Sequence, residues 1–501
     1  MKKLISLVAL FLATIVCFMV GCSPKTDLKG VTDTTIYVGN TAGTTGALST
    51  IGAPFNLGIR AAFHAYNNAG GYKGLDEAGQ QLTTGLKVEL KHYDDEGNAQ
   101  NSKTLMEKLI HDDEVFSIVG NFSATSVESN ISVIKEKEVP MVYAAAGNDV
   151  LHNDAATTLA DRAIFPVQPL NKTEGRMLIL RAFAPVANGG LGATKVGVIS
   201  DSANEASITM LAGINAEKAN LTDAQKNAIN VQEVSGTDFS AAVNALKAAN
   251  CDVVIITAIG ANYLTALKAI GAAEYKVKVL TSYNNASVAS FNQTLKDEGG
   301  VAYQVLADEY KSVFENVTLY AQAWLDLTSA TEFYKNTTHP LYSIYYATYL
   351  NVYMATGMTE EVAKTTLDTY GIPGFKNEYW TVAEAIYDYC IASGDTAENA
   401  YKMSYDAYAL AGYIAGDLFC QGLKALEQSG KALTRANYVD IMESQEYKIV
   451  TANNISFANG LRQGVDSFAL TQISSVAGSA ATSATVFTLM SIDQYRTLIA
   501  G

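Results

Sequence analysis

From Thr34 onward, the chain alternates short β-branched, apolar segments with longer segments of helical periodicity. The apolar segments are typical of buried strands, and the periodic segments are typical of helices that cover them. The first run of strands covers residues 35–39, 87–93, 116–120 and 139–144, and its helices cover 54–69, 99–111 and 125–135. This alternation predicts a parallel sheet with helices on both faces.

A second run of the same kind follows the sequence Phe165-Pro166-Val167-Gln168. Its helices lie near 172–183, from Glu205 onward and at 262–270, and its strands lie at 195–200, 252–257 and 278–282. The sequence therefore predicts an α/β fold with two doubly wound, parallel-sheet lobes. Residues 319–429 are rich in Tyr and Ala with a mostly helical pattern, and strand-like segments at 454–457 and 467–473 follow.

The amino terminus differs from the rest of the chain. Two lysines precede an apolar run at residues 4–20, which Gly21 and Cys22 end. This is typical of a secretory signal, and the run is too short for a comfortable transmembrane helix of about 20 residues. The stretch Met19-Val20-Gly21-Cys22 resembles the bacterial lipobox, which implies lipid on Cys22; an ordinary signal peptide cut nearby is the alternative. We predict a signal peptide at 1–21 and a flexible spacer at 22–33.

Composition narrows the classes of partner. The 501 residues suit two or three domains, and 50 acidic against 35 basic residues give a net charge of −15. Nucleic acid is an unsuitable partner because no basic cluster accompanies this negative charge. Beyond the signal and Cys22, only Cys251, Cys390 and Cys420 remain, and this odd, widely spaced set does not indicate a disulfide scaffold.

Catalytic motifs are missing from the sequence. It has no nucleophile elbow, no His-Glu-x-x-His, no phosphate-binding loop, and no dinucleotide-binding glycine motif after a strand. The pair Asp94-Asp95 follows a strand, but a turn with Glu96-Gly97-Asn98 accounts for it. We therefore predict that the chain is not an enzyme and has no metal or cofactor site. The five histidines are scattered singly: His64, His92, His111, His152 and His339.

Binding is better supported, because small and hydroxyl-bearing residues follow the strands at 43–46, 121–126 and 144–147. Ligands of open α/β sheets bind at the carboxyl ends of strands. Ser123 and Thr125 stand where a helix begins, so free backbone N–H groups there can hold a carboxylate or another anion. Helix capping by Ser or Thr alone would select the same residues.

Short motifs lie at residues 52–62, 67–74, 93–95, 118–120, 405–408 and 457–460. Their order and spacing resemble the leucine/isoleucine/valine-binding family of periplasmic-type receptors. The resemblance spans Thr34 to Ile473 and implies two lobes joined by three crossovers, which close on a ligand. It also implies an ABC permease with a separate ATPase subunit as partner.

By this resemblance the crossovers fall near 165–168, 307–310 and 448–452. Lobe one then comprises residues 34–168 and 310–450, and lobe two comprises 169–309 and 451–501. The chain exceeds the usual family length at about 316–400, which we interpret as a helical insertion in lobe one. Its tyrosine stripe is more typical of core packing than of a ligand platform: Tyr342, Tyr345, Tyr346, Tyr349 and Tyr353.

Matching the family position by position also implies ligand contacts. In lobe one they are Ile51, Ser123, Ala124, Thr125, Ala145, Ala146 and Gly147, and in lobe two they are Glu205, Ile259 and Tyr283. Tyr283 replaces an acidic residue of the branched-chain receptors, so an ammonium group lacks its usual partner. Glu205 can supply that charge, or it can be a helix-terminal Glu favoured by the macrodipole.

The resemblance implies an extracytoplasmic, lipid-anchored solute-binding protein of an ABC importer that captures a small amino-acid-like molecule. One alternative is a ligand-sensing receptor lipoprotein of the same fold. Another is a different ligand, such as an amide, a short peptide or a nucleoside. A surface hydrolase would require a nucleophile and a base that the sequence does not provide.

Overall fold

The computed structural model describes residues 29–296, 302–355, 357–475 and 480–500. The predicted signal peptide and Cys22 lie outside these residues. The strands are β1 (Thr35–Ala42), β2 (Lys87–Asp94), β3 (Ser117–Val119), β4 (Met141–Val142), β5 (Ile164–Phe165), β6 (Val196–Asp201), β7 (Ile229–Val234), β8 (Val253–Ile256), β9 (Val277–Thr281), β10 (Asn292–Lys296), β11 (Ala302–Leu306), β12 (Val317–Ala323), β13 (Thr328–Tyr334), β14 (Ile372–Phe375), β15 (Glu446–Tyr447), β16 (Ile455–Ser456), β17 (Ser467–Ser474) and β18 (Thr482–Ser491). The α-helices are α1 (Ser49–Asn68), α2 (Ala99–His111), α3 (Ala124–Glu136), α4 (Leu159–Arg162), α5 (Asn171–Phe183), α6 (Glu205–Glu217), α7 (Asp223–Asn227), α8 (Ser240–Ala248), α9 (Gly260–Ala272), α10 (Lys311–Asn316), α11 (Pro340–Ala355), α12 (Glu360–Tyr370), α13 (Asn377–Ala392), α14 (Ala397–Ser404), α15 (Ala407–Ser429), α16 (Arg435–Met442) and α17 (Ile492–Ala500).

Lobe one is built on a five-stranded sheet of order β2-β1-β3-β4-β5, in which every pair is parallel. Ile36 and Val38 of β1 are fully buried, as expected for a parallel strand covered on both faces. The long helices α1 and α15 pack against each other through Gly58 and Gly412. A Cβ atom on either glycine would overlap the backbone of the other helix, so this close packing requires glycine.

Lobe two is built on a seven-stranded sheet of order β18-β17-β12-β9-β8-β6-β7. Strands β12, β9, β8, β6 and β7 run parallel, and β17 and β18 add an antiparallel edge. Helices α5 and α6 cross at Gly175 and Gly213, where added Cβ atoms would again overlap backbone. The two doubly wound, mainly parallel lobes that the sequence predicts are therefore present.

The second and third crossings lie later in the chain than predicted. Strand β12 pairs with β9 in the second sheet, so the chain leaves lobe two after Ala323 rather than near 307–310. Strand β16 pairs with β15, and the chain reaches the second sheet again only at Ser467, not near 448–452. Both crossings were predicted wrongly because strand pairing over long sequence separations cannot be read from local periodicity.

The crossings lie side by side. The N–H of Asp326 donates to the carbonyl of Thr451 (2.7 Å), and the N–H of Val465 donates to the carbonyl of Val167 (2.8 Å). These bonds tie the third crossing to the second and to the first. All three segments therefore meet at one hinge between the lobes.

The surplus segment extends lobe one, since α13 packs on α1. It is not purely helical as predicted, because β13 and β14 form an antiparallel pair beside helices α11 to α14. Of the predicted tyrosine stripe, only Tyr345 is buried, and Tyr342, Tyr346, Tyr349 and Tyr353 are half-buried. Tyr345 is buried with its ring 4.7 Å from the indole of Trp380.

Candidate functional site

The loops that follow β1, β3 and β4 lie side by side, because these strands are neighbours in the first sheet. Two of these loops contain strained backbone. Ser123 has φ 74° and ψ 144°, and Tyr143 has φ 58°, a region that residues other than glycine rarely adopt. Such strain is concentrated at binding sites, where the surrounding structure holds it in place.

Ser123 caps helix α3, and its Oγ accepts a hydrogen bond from the N–H of Ser126 (3.3 Å). Both the cap and the free helix end that the sequence suggests are therefore present. Ala124 and Thr125 form the first turn of α3 and are exposed. Their N–H groups lie at the positive end of the helix dipole, where an anion is stabilised.

The other predicted residues of lobe one lie in the loop after β4 and in the first turns of α1. The N–H of Ala145 donates to the carbonyl of Asn121 (2.8 Å), which joins the loops after β3 and β4. Ala146 and Gly147 are buried, and Ile51 is half-buried in the first turns of α1. The carbonyl of Gly147 accepts from the N–H of Asn171 at the start of α5 (3.0 Å), so this loop also contacts lobe two.

Two asparagines lie beside the helix end: Asn121, within the predicted turn at 121–126, and Asn148, which was not predicted. Asn148 is 6% exposed, and its Nδ2 donates to the carbonyl of Ala124 (3.5 Å). Asn121 is fully buried and accepts from Thr41 Oγ1 (3.2 Å). Within the described residues, Asn148 Oδ1 and Asn121 Nδ2 have no hydrogen-bond partner. Each follows a predicted strand closely, and that position was the available signal.

Tyr283 follows β9 in lobe two and contacts the hinge. Its hydroxyl donates to the carbonyl of Pro169 in the first crossing (3.2 Å). Its N–H donates to Glu174 Oε1 (2.8 Å), and Ser282 Oγ donates to Glu174 Oε2 (2.8 Å). Burial, together with the negative charge of Glu174 and with Tyr143, raises the pKa of Tyr283 well above its usual range.

Glu174 is thus the carboxylate beside Tyr283, and the sequence analysis missed it. Its side chain is fully buried. Burial raises the pKa of Glu174 from 4.5 to about 7, although the hydrogen bonds from Tyr283 and Ser282 oppose the shift. Glu174 precedes Tyr283 by 109 residues, on a different element, so no local motif connects them.

The remaining predicted contacts of lobe two lie at helix starts. Glu205 is the exposed first residue of α6, and its Oε1 accepts from Thr209 Oγ1 in the same helix (3.2 Å). Ile259 is half-buried and precedes α9. Glu205 therefore has the placement expected of a helix-terminal Glu.

The described residues contain no group of three or more His, Cys, Asp or Glu side chains arranged to hold a metal ion. In the same part of the chain, no helix is long and apolar enough to cross a membrane. Cys251, Cys390 and Cys420 are buried free thiols.

Comparison with known proteins gives a family and a fold. A family model described as periplasmic binding protein matches residues 35–369. A search of curated proteins found no match.

Three solved structures share the fold. A branched chain amino acid ABC transporter from Thermus thermophilus with bound valine has a TM-score of 0.58 at 11% identity, covering 94% of this chain and 100% of that one. A fatty acid ABC transporter substrate-binding protein from Thermomonospora curvata has 0.58 at 12%, covering 95% and 97%. A solute binding protein of an ABC transporter from R. palustris in complex with benzoate has 0.56 at 13%, covering 92% and 98%.

Proposed function

Because the chain belongs to the periplasmic binding protein family, we propose that it captures a small amino-acid-like or related polar ligand for an ABC importer. The observation that carries this proposal is the pairing of two α/β lobes across three adjacent crossings. Structures of this fold include ABC transporter proteins holding valine and benzoate. Such a ligand is enclosed when the lobes close about the hinge.

The proposed ligand site lies where the carboxyl ends of the two sheets meet. In lobe one it uses the amino end of α3 and the neighbouring loop at 143–148, where residues 144–147 have small side chains. In lobe two it uses the residues that follow β6, β8 and β9. The ligand contacts that we propose are Ile51, Ser123, Ala124, Thr125, Ala145, Ala146, Gly147, Glu205, Ile259 and Tyr283.

Closure is tested by small-angle scattering after a thermal-shift screen has found a ligand, which stabilises the protein by mass action. The screen includes amino acids, amides, hydroxy acids, short peptides and nucleosides. Ligand should reduce the radius of gyration while the far-ultraviolet circular dichroism stays unchanged. A bound ligand that leaves the radius unchanged would remove the closing mechanism.

We further propose that the mature chain is held outside the cytoplasm by lipid on Cys22, and that it delivers its ligand to a permease with a separate ATPase subunit. The Gly21-Cys22 junction after an apolar run supports the anchor. Cys22→Ala should release the protein from membranes into the soluble fraction. A variant that stays membrane-bound at high salt would show that another segment anchors it.

A further inference from the structure

One residue of the hinge holds a strained backbone conformation. Thr451, in the segment that forms the third crossing, has φ 59° although its side chain is β-branched. Residues of this kind rarely adopt the left-handed region. Thr451 is also 1% exposed, and its Oγ1 has no hydrogen-bond partner among the described residues. Such a conformation persists only where neighbouring groups hold it, so the contacts of Thr451 show what holds it.

Both backbone groups of Thr451 are held. Its N–H donates to Glu378 Oε1 (3.0 Å), and its carbonyl accepts the N–H of Asp326 in the second crossing (2.7 Å). Asp326 is itself fixed by Lys376, whose Nζ donates to Asp326 Oδ2 (2.9 Å). The N–H of Lys376 also donates to the carbonyl of Leu327 (2.9 Å). Lys376 and Glu378 therefore hold the second and third crossings at once.

Both charged residues lie at the start of α13, within the surplus segment of lobe one. Lys376 immediately precedes this helix, and Glu378 is in its first turn. Glu378 Oε2 also accepts from Lys448 Nζ on the third crossing (2.8 Å). The side chains of Lys376 and Asp326 are only 27% and 12% exposed, so their ion pair is partly shielded from water. Hydrogen bonds between charged groups are stronger in such surroundings than at an open surface.

We infer that Lys376 and Glu378 form a hinge clamp, which holds Thr451 in its strained conformation and thereby sets the balance between two arrangements of the lobes. The clamp rests on the proposed function, in which the lobes move about the hinge, and it deepens that function. A few residues of the crossings absorb the change in φ and ψ when lobes move. Without the clamp, Thr451 relaxes to a negative φ, which redirects the chain between the lobes. Ligand affinity then depends on how much of the protein keeps the binding-competent arrangement.

The test measures the distance between the lobes in the ligand-free, full mature chain. Spin labels are attached to Glu107→Cys in α2 of lobe one and to Asn244→Cys in α8 of lobe two, both at exposed positions. Cys22→Ala removes the predicted lipid site, and the other three cysteines are buried, so the two introduced thiols take the labels. Double electron–electron resonance then gives the distribution of interlobe distances.

Lys376→Met and Glu378→Ala each remove one half of the hinge clamp. Because a hydrogen bond to a charged group is lost in each variant, each should raise the population of a second interlobe distance about tenfold. The matched control is the exposed ion pair between Lys402 and Glu398 in α14 of the same segment (2.8 Å). Lys402→Met and Glu398→Ala should leave the distance distribution of the unmodified protein unchanged.

Thr451→Gly separates the hinge clamp from a merely structural role. Glycine adopts a positive φ without steric cost, so Thr451→Gly should keep the original distance when the clamp is removed. In this background Lys376→Met and Glu378→Ala should change the second population by less than about twofold.

Two results overturn the hinge clamp: unchanged distances in Lys376→Met and Glu378→Ala, or an equally large change in the Thr451→Gly background. An equal change in the two control variants overturns it as well. The proposed function is judged separately, because it fails only if no molecule of the ligand screen compacts the unmodified protein.

Discussion

Each lobe holds a titratable group close to the cleft whose pKa is shifted by burial, His92 in lobe one and Glu174 in lobe two, and the two groups differ in kind. In lobe one, His92 Nδ1 lies 2.9 Å from both Asn40 Oδ1 and Asn56 Nδ2, and Nε2 lies 3.1 Å from Thr44 Oγ1. In lobe two, Glu174 accepts hydrogen bonds from Ser282 and Tyr283. His92, a base, is surrounded by two amides and a hydroxyl, whereas Glu174, an acid, accepts hydrogen bonds from two donors.

The pKa values of these groups move in opposite directions for the same reason. Burial, with the positive charge of Arg60, lowers the pKa of His92 from 6.5 to about 4. Burial raises the pKa of Glu174 from 4.5 to about 7. In both lobes burial favours the neutral form. Because one group is an acid and the other a base, the same burial gives the two lobes opposite responses to pH.

Glu174 should produce the largest effect. The Glu174 carboxyl ionises near pH 4.5 in the unfolded chain and near pH 7 in the folded chain. The stability that the protonated carboxyl contributes at low pH is therefore lost as the pH rises through this window. Ionisation of Glu174 over this window should lower the free energy of unfolding by about 3 kcal/mol. Glu174→Gln should remove this slope of the free energy of unfolding against pH, measured by urea unfolding at pH 5 and 8. Exposed Glu315→Gln should keep it, and a Glu174→Gln variant with an unchanged slope would contradict the buried, protonated carboxyl.

A second experiment separates stability from ligand binding. Ser207 in lobe two is fully buried; its Oγ accepts from the N–H of Asp201 (2.8 Å) and lies 2.7 Å from Thr257 Oγ1. Ser207→Ala leaves these groups unpaired and should lower the free energy of unfolding by about 2 kcal/mol with little change in ligand affinity. Asn148→Ala in lobe one should do the reverse, with affinity falling about tenfold. If both variants change stability and ligand affinity to the same extent, the two residues do not differ in role as we expect.

The sequence predicted much of the fold, since parallel strands and their helices carry strong local patterns. It failed where pairing is long-range. Strand β12 is held in the second sheet by β17, with Thr471 Oγ1 donating to the carbonyl of Ala321 across 150 residues (3.0 Å). No local sequence pattern predicts pairing between strands this far apart. The second and third crossings were therefore predicted too early in the chain.

The candidate site divides in the same way. Ser123 and Ala145 could be found because each follows a strand directly, and the structure brings their loops together. Glu174 could not be found, because it lies on a helix that precedes the first strand of lobe two. Its role depends on the folding of α5 against the end of β9.

The smallest effect is expected for His92, and it should have the opposite sign to that of Glu174. Between about pH 6.5 and 4 the unfolded chain binds a proton that the folded chain excludes, so stability should fall as the pH falls. Because His92 is only half-buried, solvent screening should limit the loss to about 1 kcal/mol. Urea unfolding at pH 7 and 5 lies above the range in which Asp94 titrates, because that carboxyl has a pKa lowered to about 2 against partial burial, by hydrogen bonds from Thr45 and neighbouring N–H groups. Glu174 contributes with the opposite sign in this window and is present in every variant, so the difference between variants reports His92. His92→Gln keeps an amide donor and acceptor near Asn40 and Thr44 without a titrating ring, so on acidification its free energy of unfolding should rise relative to that of the unmodified protein, by about 1 kcal/mol. Half-buried His64→Gln is the matched control and should behave like the unmodified protein. If His92→Gln instead loses as much stability as the control, the neutral histidine is not what sets the acid response of lobe one, and the opposition between the lobes fails.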